Sequence, residues 1–281
     1  MNDSSLGSFS PSPSPRVNRR FLTPLCLALL AALNLAPLLT MLTLSAHGPA
    51  AQGAPGAVWL GPWLRLARSV PIFARWYGNS LAVAGLSVGF HLFADALAGY
   101  TLAKRNFRGR GVVLVVILGA MMIPRQVTLI PLFLRMARLG LADTFAGLLL
   151  PGLGDVIGIF LMRQFFVTLP DALLESARID GASEWAAWRL VAMPLARPAL
   201  GVLGVLAFQH YWSDFFWPLV ITQSAEHYTV QVGLAYLSQS EFGPDLALMA
   251  AGATAAALPI LLIFLAARRH LFAGLRAGAL K

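Results

Sequence analysis

Apolar residues dominate six runs of the chain, at about 21–44, 76–102, 111–134, 141–163, 198–222 and 245–267. Each is long enough for a helix to cross a hydrocarbon core of about 30 Å. The period-two alternation of a membrane β-barrel is absent. A backbone in hydrocarbon has no water to bond with, so such runs are predicted to be helices. The expected fold is all-α: a polytopic membrane protein with six transmembrane helices.

The segments between the runs are unequal. Residues 1–20 are rich in Ser and Pro and end in Arg16, Arg19 and Arg20, which predicts a disordered N-terminal tail. The run that follows is longer than the core of a secretory signal. Residues 45–75 read as an external loop with a short interfacial helix at VWLGPWLRLARSV. Five further spans fill 76–267, interrupted by a polar insertion at 164–197, and residues 268–281 form a C-terminal tail.

Charge gives these spans a direction. Only 12% of residues are charged, about half the share of a soluble domain, and the net charge is +9. In a lipid-embedded chain that excess faces anionic headgroups rather than nucleic acid. The loop AKRNFRGRG carries Lys104, Arg105, Arg108 and Arg110 and is assigned to the cytoplasmic side. About 15 of the 21 basic residues then fall on that side, with both termini there too. The lone cysteine, Cys26, allows no internal disulfide.

The insertion departs most from the rest. In PDALLESARID, Pro170 and Asp171 suit a first helical turn, and Leu173, Leu174 and Ala177 make an apolar stripe. Gly181 can end that helix in the left-handed region, Ser183 can cap the next, and Pro194 and Pro198 close it. A small helix with an apolar stripe and charged flanks suits either a partner's groove or the lipid headgroups.

The stretch resembles the EAA loop of ATP-binding cassette importer permeases, whose pattern is E-A-A-x-x-D-G-A followed after about a dozen residues by L-P. Here the matching residues are Glu175, Ser176, Ala177, Asp180, Gly181, Ala182, Met193 and Pro194, with Ser176 and Met193 departing from the pattern. WYGNSLAVAG, LAGYTLAKRNFRGRG, IPRQVTLIPLF, YWSDFFWPLV and FAGLRAGALK are similar to further segments of the carbohydrate, maltose-type branch. The resemblance implies a permease paired with a second permease, as a heterodimer, with two cytoplasmic ATPase subunits and an extracytoplasmic solute-binding protein, in a bacterial inner membrane. It implies that Glu175, Ser176, Ala177, Asp180, Gly181, Ala182 and Pro194 couple to an ATPase, and that the cargo is a sugar, an oligosaccharide or a polyol phosphate. It also implies that no cofactor is bound by this chain, with ATP and Mg on the partner subunits.

One feature of composition agrees independently. A phosphate-cradling G-x-x-x-x-G-K-[ST] loop needs a lysine followed by Ser or Thr. The only lysines are Lys104, followed by Arg105, and Lys281, the last residue. This chain therefore cannot supply that ATP site, and no nucleophile motif, metal-ligand cluster or H-E-x-x-H appears in it, so no catalytic or metal-ligating residue is expected. Ionisable residues within spans, namely His91, Asp95, Asp155, His210 and Asp214, are candidates for packing hydrogen bonds or a translocation path. Asn79, Trp212 and Asp214 are the path candidates. The competing reading, a proton- or ion-coupled secondary transporter, requires a midplane charge pair and an internal repeat; the chain shows no such repeat.

Overall fold

The computed structural model describes residues 19–46, 61–238 and 245–279, with side chains for 23–46, 61–238 and 245–267. The tail before residue 19, residues 47–60 of the 45–75 loop, and the side chains of FAGLRAGALK lie outside the described residues. The described residues form helices and connecting turns, without strands.

The elements, in order, are α1 (Arg19–Ala46), α2 (Gly61–Ser69), α3 (Phe73–Lys104), α4 (Arg110–Met121) and α5 (Arg125–Arg138). Next come α6 (Phe145–Leu149), a 3₁₀ turn (Leu150–Gly154), α7 (Ile157–Thr168) and α8 (Asp171–Ile179). Then α9 (Glu184–Ala187), a π turn (Trp188–Ala192) and α10 (Met193–Leu195) lead into α11 (Arg197–Trp212). The chain ends with α12 (Phe216–Ile221), α13 (Val230–Ser238) and α14 (Leu246–Ala279). The short α2 falls inside the segment expected to be interfacial. The expected tail from 268 continues the last helix as far as Ala279.

Among the described residues, four stretches are long and apolar enough to cross a membrane: Thr23–Ala46, Phe73–Lys104, Phe145–Thr168 and Leu246–Ala267. Two bent pairs bring the number up to six. Arg110–Met121 meets Arg125–Arg138 at 99°, and Glu184–Leu195 meets Arg197–Ile221 at 78°. The third run, expected to be one helix over 111–134, is therefore broken. Pro124 has no N–H to continue the helix, takes an extended ψ of 128°, and caps α5 instead. The fourth run tightens into the 3₁₀ turn and restarts at Ile157, and the fifth pauses at 213–215.

α3 is the hub, packing on α7, α11 and α13. Its N-terminal half joins Phe73, Trp76 and Ala84 to Trp212, Val230 and Ala251 in one core cluster. Its C-terminal half joins Ala96 and Tyr100 to Met162, Phe166, Leu174, Trp188 and Ala192 in an inner, buried cluster. The α3–α7 contact is so close that a Cβ on Gly99 would lie 2.7 Å from both the Arg163 nitrogen and Met162 Cβ.

The WYGNS segment has a definite task in this packing. The Trp76 indole donates to the Ala225 carbonyl at 2.7 Å, and the Asn79 amide donates to the Glu226 and Tyr228 carbonyls at 2.8 and 2.9 Å. The Ser80 hydroxyl accepts from the Val230 N–H at 2.8 Å. One face of α3 thus satisfies the backbone that leads into α13. On the neighbouring turn, Asp143 (φ 54°) accepts from the N–H groups of Gln223 and Ser224 at 2.9 and 3.0 Å. Burial alone would raise its carboxyl pKa; these donors, with His227 beside it, lower it to about 2.

Three outcomes follow from this packing, each readable by thermal unfolding of the purified full chain in detergent. Gly99→Val forces α3 and α7 apart and lowers stability by about 1–3 kcal/mol or more. Ser80→Ala leaves the buried Val230 N–H unpaired and costs about 1–3 kcal/mol. The Asp143 contribution is present above the ordinary carboxylate range and is lost as pH falls through about 2. Asp143→Leu should remove that acid-sensitive component while lowering stability near neutrality.

Candidate functional site

The polar insertion is a rigid hairpin of helices. α8 ends in a Schellman motif: the Ala182 N–H bonds to the Ala177 carbonyl at 2.9 Å and the Gly181 N–H to the Arg178 carbonyl at 3.0 Å. Gly181 adopts φ +85°, a region that side chains rarely tolerate. The Ser183 hydroxyl then caps α9 by accepting from the Ala186 N–H at 3.2 Å. Glu184 bridges the two limbs, accepting from the Arg178 guanidinium at 2.9 Å and pairing with Arg105 on the 104–110 loop.

A cation anchors this hairpin to α3. The Lys104 side chain, 6% exposed, donates to the Leu169 carbonyl at 2.5 Å and to the Asp171 carboxylate at 2.7 Å. The Lys104 ammonium holds the Asp171 carboxyl below its usual range. Leu174, 1% exposed, and Trp188 bury one face of the hairpin in the inner core cluster. The opposite face is open: Glu175, Ser176, Asp180 and Gly181 are exposed, while Ala177 is half-buried against the same cluster as Leu174 and Ala182 is half-buried in the turn. Ile179, at the tip of α8, is 86% exposed, and Leu190 is exposed beyond it. An apolar knob beside a tight turn, rimmed by carboxylates, has the form of a docking element.

Of the residues expected to couple, Glu175, Ser176, Asp180 and Gly181 thus share the open face. Pro194 lies apart from them, in α10, which ends one residue later at Leu195. The bend comes after Leu195, before Pro198 in the first turn of α11. Sequence reading missed Ile179, because the expected apolar stripe at 173, 174 and 177 drew attention away from it; of that stripe Leu174 is buried, Ala177 half-buried and Leu173 exposed. It also missed the Lys104–Asp171 tie, which joins residues far apart in the chain.

A second site lies where the broken spans converge. A cleft of about 710 Å³ is lined by Arg125 and Gln126 at the start of α5, Asp155 before α7, His210 on α11, and Asp214 and Phe215 before α12. The Arg125 guanidinium contacts His210 Nε2, which stands 3.7 Å from Asp155 Oδ2. A smaller space of about 300 Å³ adjoins it, lined by His91, Asp95, Asp155 and Tyr211. Of the path candidates, Asp214 lines the cleft. Asn79 is committed to the 226–228 backbone, and the buried Trp212 donates to the Ala256 carbonyl at 2.8 Å. Arg125, Tyr211 and Gln209 line the cleft without having been singled out in the sequence.

Comparison with known proteins agrees with this architecture. Residues 96–277 match the family described as the binding-protein-dependent transport system inner membrane component. The chain is 34% identical over 210 residues to the arabinooligosaccharides transport system permease protein AraQ of Bacillus subtilis (strain 168), covering 75% of this chain and 74% of that protein. It is 31% identical over 212 residues to the maltodextrin transport system permease protein MdxG of the same organism, covering 75% and 76% respectively. In fold it resembles a chain in the crystal structure of a bacterial ABC transporter involved in the import of the acidic polysaccharide alginate. There the TM-score is 0.77 and the identity 24%, over 92% of this chain and 99% of that chain. The chain belongs to the family of binding-protein-dependent transport system inner membrane components.

Proposed function

We propose that this chain is the permease subunit of an ATP-driven sugar importer, in which the 164–197 hairpin docks on a separate ATPase subunit. The observation that carries the docking is the contrast between the two faces of α8. Leu174 and the Lys104–Asp171 tie fix one face to the spans, while Ile179, Glu175 and Asp180 project from the other. A hairpin tied in this way moves with α3 and α7 rather than flexing, so force applied at its tip reaches the spans.

The rest of the assembly follows from the same reading. A second permease closes the cleft as a heterodimer, two ATPase subunits hold ATP and Mg, and a solute-binding protein delivers cargo from the far side. Both termini and the hairpin face the cytoplasm, a placement supported by the basic loop at 104–110. A sugar or oligosaccharide cargo is supported by the names of similar permeases, which include arabinooligosaccharide and maltodextrin systems. Gln126, Gln209 and the carboxylates of Asp155 and Asp214 would meet hydroxyl groups, with Phe215 and the exposed Phe216 available for sugar faces. A polyol phosphate is the second reading; the permease protein UgpE of a glycerol-3-phosphate system is 31% identical over 176 residues.

The proposal is tested in membranes that hold the whole importer. Gly181→Val disrupts the positive-φ turn, and Glu175→Lys reverses charge on the open face. Both should leave the chain inserted yet abolish cargo uptake and cargo-stimulated ATP hydrolysis; normal uptake in both would overturn the docking role. Ile179→Glu should weaken retention of the ATPase on purification by about 10- to 100-fold, as expected for losing one buried aliphatic side chain.

A further inference from the structure

Three short contacts link Asp95, His91, Tyr211 and Gly152 through the interior between α3, α7 and α11, and His91 Nε2 also lies 3.2 Å from the Gly152 carbonyl oxygen, where an N–H on Nε2 can donate. Asp95 Oδ2 lies 2.8 Å from His91 Nδ1, His91 Nε2 lies 2.7 Å from the Tyr211 hydroxyl, and that hydroxyl lies 2.6 Å from the Gly152 carbonyl oxygen. Each distance requires one hydrogen between its two heavy atoms. The Gly152 carbonyl can only accept, so Tyr211 donates to it. The Tyr211 oxygen then accepts, so Nε2 of His91 carries a hydrogen. These two are all that a neutral tyrosine and a neutral imidazole bring.

The Asp95–His91 contact therefore needs a third hydrogen, on the carboxyl or on the imidazole. If Tyr211 turned its hydrogen to His91 instead, Tyr211 and Gly152 would face each other as bare oxygens at 2.6 Å. The pair thus holds one proton more than an ionised carboxylate beside a neutral imidazole, and is neutral overall. That suits its setting, with side chains 4% and 3% exposed, because an unpaired charge there is costly.

The chain ends on a consequential atom. Gly152 belongs to the 3₁₀ turn that breaks the fourth span, and that turn lines the large cleft. We propose that Asp95, His91 and Tyr211 form a one-proton clamp on this break, so that the cleft wall keeps its shape only while the proton is held. The ionisable groups facing the clamp are Asp155 beyond the turn and His210 on α11, with Arg125 and Asp214 behind them. From α7 it meets Gly158, whose missing side chain makes room for the Asp95 carboxylate; Arg163, the ionisable residue of that helix, packs its backbone against Gly99. The clamp does not depend on which cargo or partner the chain serves.

Linkage fixes the sign. Above the ordinary histidine range, the unfolded chain holds no proton on either residue, while the clamp holds one. Folding stability conferred by the clamp therefore declines as pH rises, by about tenfold in the folding constant per pH unit until the proton leaves. Asp95→Asn supplies the third hydrogen from an amide that does not titrate. Asp95→Leu supplies none.

The test is thermal unfolding of the purified full chain in detergent, from neutral to alkaline pH, for wild type and both variants. We expect Asp95→Asn to match wild type near neutrality and then to outlast it progressively, with the slope of one proton. We expect Asp95→Leu to be less stable throughout. Parallel curves for wild type and Asp95→Asn across the alkaline range would overturn the clamp. So would an Asp95→Asn variant as unstable near neutrality as Asp95→Leu.

Discussion

A helix that breaks inside a membrane leaves backbone groups with no water to satisfy them, and the structure depends on side chains that take water's place. The Tyr211 hydroxyl meets the carbonyl of Gly152 at the break in the fourth span, and Trp217 meets that of Gly147 a turn earlier. Trp76 and Asn79 meet three carbonyls at 225–228, and Ser80 meets an N–H at Val230. Where Pro259 interrupts the ladder of α14, the Tyr77 hydroxyl reaches the freed Ala255 carbonyl at 3.3 Å. Most of these partners belong to α3 and α11, the helices at the centre of the packing. The indole and phenol groups there each pair a broad apolar body with one polar atom. They fill the core and satisfy the breaks at once.

Those breaks give the protein its cleft. An unbroken third span would carry Arg125 along the helix axis, whereas the 99° turn at Pro124 swings α5 across and places Arg125 beside His210 and Asp155. The charged groups of the interior accordingly gather at three helix ends, where irregular backbone lines a cavity. The hairpin at 164–197 works by the opposite rule. It is pinned by a buried lysine, closed by a glycine at positive φ, and bridged by Glu184, so it is held as one unit against α3.

Much of this was legible in the sequence because it is local. Helix existence follows from uninterrupted apolar composition, and the Gly181 turn and Ser183 cap follow from chemistry within a few residues. The break at Pro124 was not legible, since Pro24, Pro37, Pro131 and Pro259 lie inside helices that continue through them. Which proline stops a helix is decided by what is packed nearby to receive the freed groups. Trp212 and Asn79 were expected on a path because polar and aromatic residues within spans suggest cargo contacts; their hydrogen bonds instead go to backbone distant in sequence. Periodicity marked α8 as two-faced but could not say which apolar residue stayed outside, so Ile179 emerged only from its exposure.

The central claim is that the open face of this hairpin seats against an ATPase, and Ile179 is the atom-level probe of it. A single cysteine introduced by Ile179→Cys, in a chain whose Cys26 is replaced by serine, should cross-link to a co-expressed ATP-binding subunit in native membranes, with a yield that changes when ATP is added. If that cysteine reacts freely with a water-soluble maleimide whether or not the ATPase is present, and cross-links to no such subunit while the chain remains folded, the docking account is wrong.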